Sequence, residues 1–286
     1  GQYEIAISYY NKGIKIKPDH AEIHNNLGNI LREKGDFLGA IASLKEALKI
    51  KPDYADAYYN MGISCEHVFE LDAAISNYSS ALKINPQYAD AYNNMGNALR
   101  SKGELDAAVE SYEKATKIKP THAEAFSNMG CAFKDKGDLK AAIISYKKAI
   151  NINSGYAEAY SNLGLTLQSQ GDLQSAIACF KQAIDIKPNY AEAYSNMGLA
   201  MYHKGDLSAA TENFKQALKI DPDFWEAWNN ISLSLQAMKF QDSSLEHNLS
   251  DFQDITVSSY SHIAAAILDY NLNRGSAFVE NSLDNL

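Results

Sequence analysis

The sequence predicts an all-α fold, an α-solenoid of tandem helix-turn-helix units, on three observations. The chain resembles itself every 34 residues. Within each copy the apolar residues recur at helical spacing. Glycine and proline punctuate each copy at two fixed points.

The copies span residues 21–54, 55–88, 89–122, 123–156, 157–190 and 191–224, with no insertion or deletion. Residues 225–240 open a seventh copy. Residues 1–20 align with the second half of a repeat, with Gly1 at the turn, then Ala6, Tyr10 and Pro18. A repeat fold is not expected to begin at a half-hairpin, so the chain reads as part of a longer array.

Each copy reads as two helices. The first covers about positions 1–14, with apolar residues at 4, 7 and 11, such as Tyr58, Met61 and Cys65. A turn follows, such as Lys204-Gly205-Asp206 or Lys102-Gly103-Glu104. Its glycine allows a left-handed residue, and its acid can cap the next helix. The second helix carries Ala176, Phe180 and Ala183 at positions 20, 24 and 27 of its copy. Proline ends it at position 32: Pro52, Pro86, Pro120, Pro188 and Pro222, with Ser154 in one copy. Phe69 replaces the turn glycine in another copy, a departure the fold is expected to tolerate. Small residues at positions 8 and 20 are expected to let the helices of a hairpin approach. Larger ones at 4, 24 and 30 are expected to fill the space between hairpins.

Residues 241–286 leave the repeat but keep helical spacing, with Ser243 as a cap before Leu245, Leu249 and Phe252. Tyr260, Ile263, Ile267 and Tyr270 form a second stripe, and Gly275-Ser276 reads as a turn. The segment is expected to be a degenerate helical cap or linker.

One copy reads Tyr58-x2-Met61-Gly62-x2-Cys65, then Ala74-x3-Tyr78, then Pro86. This resembles the tetratricopeptide repeat, and the resemblance covers residues 1–240. It implies a right-handed superhelix whose first helices line a concave face.

Position 6 is asparagine in every copy: Asn26, Asn60, Asn94, Asn128, Asn162, Asn196 and Asn230. It lies beside the 4–7–11 stripe, where the resemblance implies a groove-facing row of amides. An asparagine amide has one acceptor and two donors and can pair with a peptide group. Each bond would contribute about 0.5–1.5 kcal/mol net, so a row acting on one extended segment gives affinity with little selectivity. The array is similar to the long tetratricopeptide superhelix of O-GlcNAc transferases, in which such a row holds extended peptide. The alternative is a structural role, with each amide fixing the spacing between hairpins.

Other positions of the same helix vary, as selectivity would require. They include Asn25, Tyr59 and Asn93 at position 5, and Asn29, Asn97, Leu165 and Leu199 at position 9. Position 12 holds Arg32, Glu66, Arg100 and Lys134. The early copies look charged and the later ones apolar. Position 2 is always acidic, from Glu22 to Glu226, which reads as a negative rail or as an acid favouring the helix dipole.

Net charge is −9, and residues 241–286 carry seven acids and one base, Arg274. This balance argues against nucleic acid or an anionic membrane as partner. Cys65, Cys131 and Cys179 are dispersed, which argues against a disulfide framework or zinc site and fits a reducing, cytoplasmic setting. No apolar run is long enough to span a bilayer. The phosphate-loop, dinucleotide, zinc-protease and nucleophile-elbow motifs are absent, and the seven histidines form no ligand-spaced cluster.

The chain therefore reads as a scaffold that binds a protein or extended peptide, with no catalytic residues, cofactor or metal. An alternative is the substrate-recruiting part of a larger transferase whose catalytic domain lies beyond Leu286. Self-association of the solenoid is a third reading.

Overall fold

The computed structural model describes residues 1–241. Among them are fourteen α-helices and no strand. α1 (Gln2–Ile16) precedes six hairpins. These are α2 (Ala21–Glu33) with α3 (Phe37–Ile50), α4 (Ala55–His67) with α5 (Leu71–Ile84), and α6 (Ala89–Ser101) with α7 (Leu105–Ile118). They continue as α8 (Ala123–Asp135) with α9 (Leu139–Ile152), α10 (Ala157–Ser169) with α11 (Leu173–Ile186), and α12 (Ala191–Lys204) with α13 (Leu207–Ile220). α14 (Trp225–Gln241) follows as the first helix of the seventh copy. The reading of residues 242–286 as a cap or linker lies outside the described residues.

The chain forms two compact units. Unit 1 is Gly1–Ile152, holding α1 to α9, and unit 2 runs from Asn153 onward, with α10 to α14 described. Within each unit every first helix packs on its own second helix and on the first helix of the next copy. Each second helix also packs on the following first helix. Among the described residues no two second helices of a unit pack together in the same way. The first helices therefore form the inner, closer-spaced row of each unit.

The turns follow the residues that make them. Gly35, Gly103, Gly137, Gly171 and Gly205 all take φ between 80° and 89°. Phe69 adopts φ 60° at the equivalent place, and the hairpin around it keeps its helix lengths. The acid after the turn caps the next helix only where it is aspartate. Asp36, Asp138, Asp172 and Asp206 each accept a backbone N–H three residues on, at 2.9–3.1 Å. Glu70 and Glu104 make no such bond, which corrects the expectation that either acid caps. The extra methylene of glutamate moves the carboxylate out of capping reach.

The core also corrects the expected roles of the large residues. Position 24 is fully buried in every full copy, as Leu44, Tyr78, Tyr112, Tyr146, Phe180 and Phe214. These side chains lie on the position-8 glycine of their own hairpin. A Cβ on Gly62 would sit 2.6 Å from the Tyr78 ring, and one on Gly164 2.6 Å from Phe180. Position 24 thus fills the inside of a hairpin as well as meeting its neighbour. Position 30 fills the space between hairpins only in part: Ile50, Ile84, Ile152 and Ile186 remain over a third exposed, whereas Ile118 and Ile220 are half-buried and Ile220 packs against the core.

Candidate functional site

The position-6 asparagines lie on the inner row of first helices. Asn60 is buried, Asn26 is exposed, and Asn94, Asn128, Asn162, Asn196 and Asn230 are half-buried. In unit 1 the same bond recurs at successive junctions. Asn60 Nδ2 donates to Asn25 Oδ1 at 3.0 Å, and Asn128 Nδ2 donates to Asn93 Oδ1 at 3.0 Å. At the junction between them Asn94 Nδ2 donates to the Tyr59 hydroxyl at 3.1 Å. Each bond joins position 6 to position 5 of the preceding copy.

The bond assigns the orientation of each amide. One N–H points back along the inner face, and Oδ1 points away from that partner. Among the described residues Asn60 Oδ1 and Asn128 Oδ1 are engaged by no protein group. Asn94 Oδ1 accepts from Asn93 Nδ2 at 3.2 Å, which leaves it a second lone pair. In unit 2 position 5 holds the shorter serines, Ser161 and Ser195, both buried. There Asn196 and Asn230 make no side-chain hydrogen bond among the described residues.

The position-5 residues therefore support the row more than they face a ligand. Asn25 is 5% exposed and Asn93 2%. Tyr59 is half-buried and packs against Tyr88, with ring centroids 4.7 Å apart.

Positions 9 and 12 are organised by the tyrosines of the second helix. The position-8 glycine lets the position-24 ring pass close across the first helix, so its hydroxyl reaches polar side chains of that helix while the tyrosine itself stays fully buried. Tyr112 donates to Asn97 Oδ1 at 2.8 Å, and Tyr146 to Cys131 Sγ at 3.3 Å. In the copy with Ile63 at position 9, the Tyr78 hydroxyl donates to Glu66 Oε2 at position 12 instead. Unit 2 has Phe180 and Phe214, with no hydroxyl, and their position-9 partners are Leu165 and Leu199, both half-buried. From the third copy on, the change from Asn97 and Cys131 to Leu165 and Leu199 at position 9 follows the loss of these hydroxyls. In the first copy Leu44 offers no hydroxyl, and Asn29 Oδ1 is buried without a hydrogen bond.

The position-12 charges differ in their pairing. Arg100 Nε donates to Asp135 Oδ2 at 2.6 Å, across adjacent copies. Arg32 and Lys134 make no ion pair among the described residues, and Arg32 Nε is buried without a partner. Glu66 has no cationic partner either, and burial raises its carboxyl above the ordinary range despite the Tyr78 hydrogen bond. Burial likewise raises the Tyr59 hydroxyl. Glu66 belongs to the position-12 set already expected to tune selectivity, whereas the three buried tyrosine hydroxyls behind positions 9 and 12 were not expected from the sequence. The pairing of tyrosine at 24 with a polar residue at 9 was the available signal.

The acids of position 2 are largely occupied. Glu22 lies 2.9 Å from His20, Asp90 3.1 Å from His122, and Glu158 3.2 Å from Lys187. Glu124 accepts from Asn93 at 3.2 Å. Among the described residues no three His, Cys, Asp or Glu side chains gather in a way that could hold a metal. No described helix is long and apolar enough to cross a membrane.

A family model described as TPR repeat matches residues 1–31, 28–64, 70–99, 96–137, 130–171 and 166–205. A second, described as tetratricopeptide repeat, matches residues 191–224. No curated protein matches the chain. Among solved structures, MamA is 33% identical with a TM-score of 0.52, over 57% of this chain and 95% of that one. YrrB, described as a TPR protein with an unusual peptide-binding site, is 26% identical with a TM-score of 0.52, over 65% of this chain and 96% of that one. PilW, a type IV pilus biogenesis factor, shares the fold at 22% identity and a TM-score of 0.67, over 73% of this chain and 97% of that one. The 34-residue register, the paired helices and the family matches agree: the chain belongs to the tetratricopeptide repeat family.

Proposed function

We propose that the chain is a protein-binding scaffold whose inner face holds an extended segment through its asparagine row. One observation carries this reading. In unit 1 the position-6 amides are oriented by a recurring inter-repeat bond that uses an N–H and leaves the Oδ1 of Asn60 and Asn128 unengaged. A row of amide oxygens at one per helix is suited to accept backbone N–H groups of a peptide. Because a peptide N–H is common to every residue but proline, such a row reads an extended chain with little regard to sequence. The description of YrrB as a peptide-binding TPR protein is consistent with this reading.

The same bonds also stitch adjacent copies, so binding and stacking must be separated. Replacing Asn60, Asn94 and Asn128 together by alanine tests this. Peptide affinity per folded molecule is expected to fall at least tenfold. A fall in melting temperature with unchanged affinity per folded molecule would assign the asparagines to stacking alone. Asn25→Ala is the control, since it removes the partner of Asn60 and leaves the row itself intact.

A further inference from the structure

Among the described residues three position-12 charges of unit 1 lack an ionic partner, Arg32, Glu66 and Lys134, and the first two are neighbours of opposite sign. Arg32 and Glu66 both occupy position 12, on α2 and α4, and those helices touch. Arg32 forms no ion pair, and its Nε is buried without a hydrogen bond. Glu66 forms none either, and one of its oxygens already accepts the Tyr78 hydroxyl. A partly buried charge without a counter-charge is costly, and an incoming opposite charge relieves that cost. Next along the row, Arg100 is neutralised by Asp135, and Lys134 lies beyond it.

The spacing narrows the conformation of the ligand. Packed helices lie about 8–10 Å apart. A polyproline II strand brings every third residue to the same face after about 9 Å. A β-strand returns to one face after about 7 Å or about 14 Å, which matches less well. The asparagine row has the same one-per-helix spacing.

We propose that this face selects an extended, polyproline II-like segment carrying a carboxylate opposite Arg32 and an ammonium or guanidinium three residues away, opposite Glu66. The proposal rests on the asparagine-row reading above and adds side-chain selectivity to it.

The test uses the full chain and fluorescent, capped nine-residue peptides of one host, with alanine at every third, contacted position to supply its N–H and proline only between, read by anisotropy. The host is compared with versions carrying acid and base at i and i+3 in both orders. One order is expected to bind about tenfold more tightly than the neutral host. The charge-exchanged variant, Arg32→Glu with Glu66→Lys, is expected to prefer the other order. Arg32→Gln and Glu66→Gln, each checked for helicity, carry the test if the exchanged variant fails to fold. Each should cut the advantage of the preferred peptide severalfold. Equal affinity for host and charged peptides would overturn the proposal while leaving the asparagine row standing. Equal gains in both orders would overturn it too, since position would then be irrelevant. Failure of every peptide to bind would remove the asparagine-row reading and the proposal with it.

Discussion

Phe69 is the least comfortable residue of the described chain. It takes φ 60° where the other turns have glycine, and its side chain is 89% exposed. A Cβ in the left-handed region costs roughly 1–2 kcal/mol, and this ring gains little burial in return. Phe69→Gly is expected to stabilise the fold by about 1 kcal/mol in urea unfolding, after the entropy that glycine adds to the unfolded chain. A destabilised variant would show that the ring makes contacts in solution. Glu66 makes a second prediction. Its folded pKa lies above the ordinary 4.5, so the folded state binds the proton more tightly than the unfolded state. Stability contributed by this group therefore falls as pH rises from about 4.5 through the folded pKa, and stays lost above it. Glu66→Gln keeps an acceptor for Tyr78. It is expected to melt higher than the parent at neutral pH, and the difference should shrink as pH approaches about 4.5. A difference independent of pH would contradict the burial argument.

From the third copy on, each hairpin couples three positions: a glycine at 8, a ring at 24 and a residue at 9 that matches that ring. The Tyr112 ring would lie 2.6 Å from a Cβ on Gly96, and its hydroxyl reaches Asn97. Tyr112→Phe removes the donor and leaves a half-buried amide oxygen, at a cost of about 1–2 kcal/mol. Adding Asn97→Leu recreates the pairing that unit 2 already uses in Phe180 with Leu165. The double variant is expected to recover most of the loss, a coupling a double-mutant cycle measures. Additive losses would show that the hydroxyl contact is incidental. Gly96→Ala is expected to cost about 1–3 kcal/mol in the same assay, because the buried ring has nowhere to move. These elements were mostly legible in the sequence. Left-handed glycines and trailing prolines mark helix ends through local chain geometry, and Ser154 in place of proline left α9 ending at Ile152. The cross-helix hydroxyls were not legible, because Tyr112 and Asn97 meet only once glycine brings their helices together.

At the scale of the whole chain, the array works by repetition. One bond between position 6 and the preceding position 5 is weak, but it recurs at each junction of unit 1 and aligns the amides in one direction. The row of asparagines could be read from the sequence, since the residue never changes. Its register could not: Asn60 finds Asn25, and Asn128 finds Asn93, at a separation that only stacking creates. This is also why Asn25 and Asn93 read as ligand-facing residues, although the fold buries them behind the row. In the function proposed above, the free amide oxygens accept backbone N–H groups of an extended ligand, one per repeat. The most direct measurement is an N-methyl scan along a bound, capped peptide, with affinity for the full chain determined at each position. Loss of affinity at every third residue, and near-parent affinity between, is the predicted result. A uniform profile, or one that follows side chains and ignores the backbone N–H, would contradict the claim.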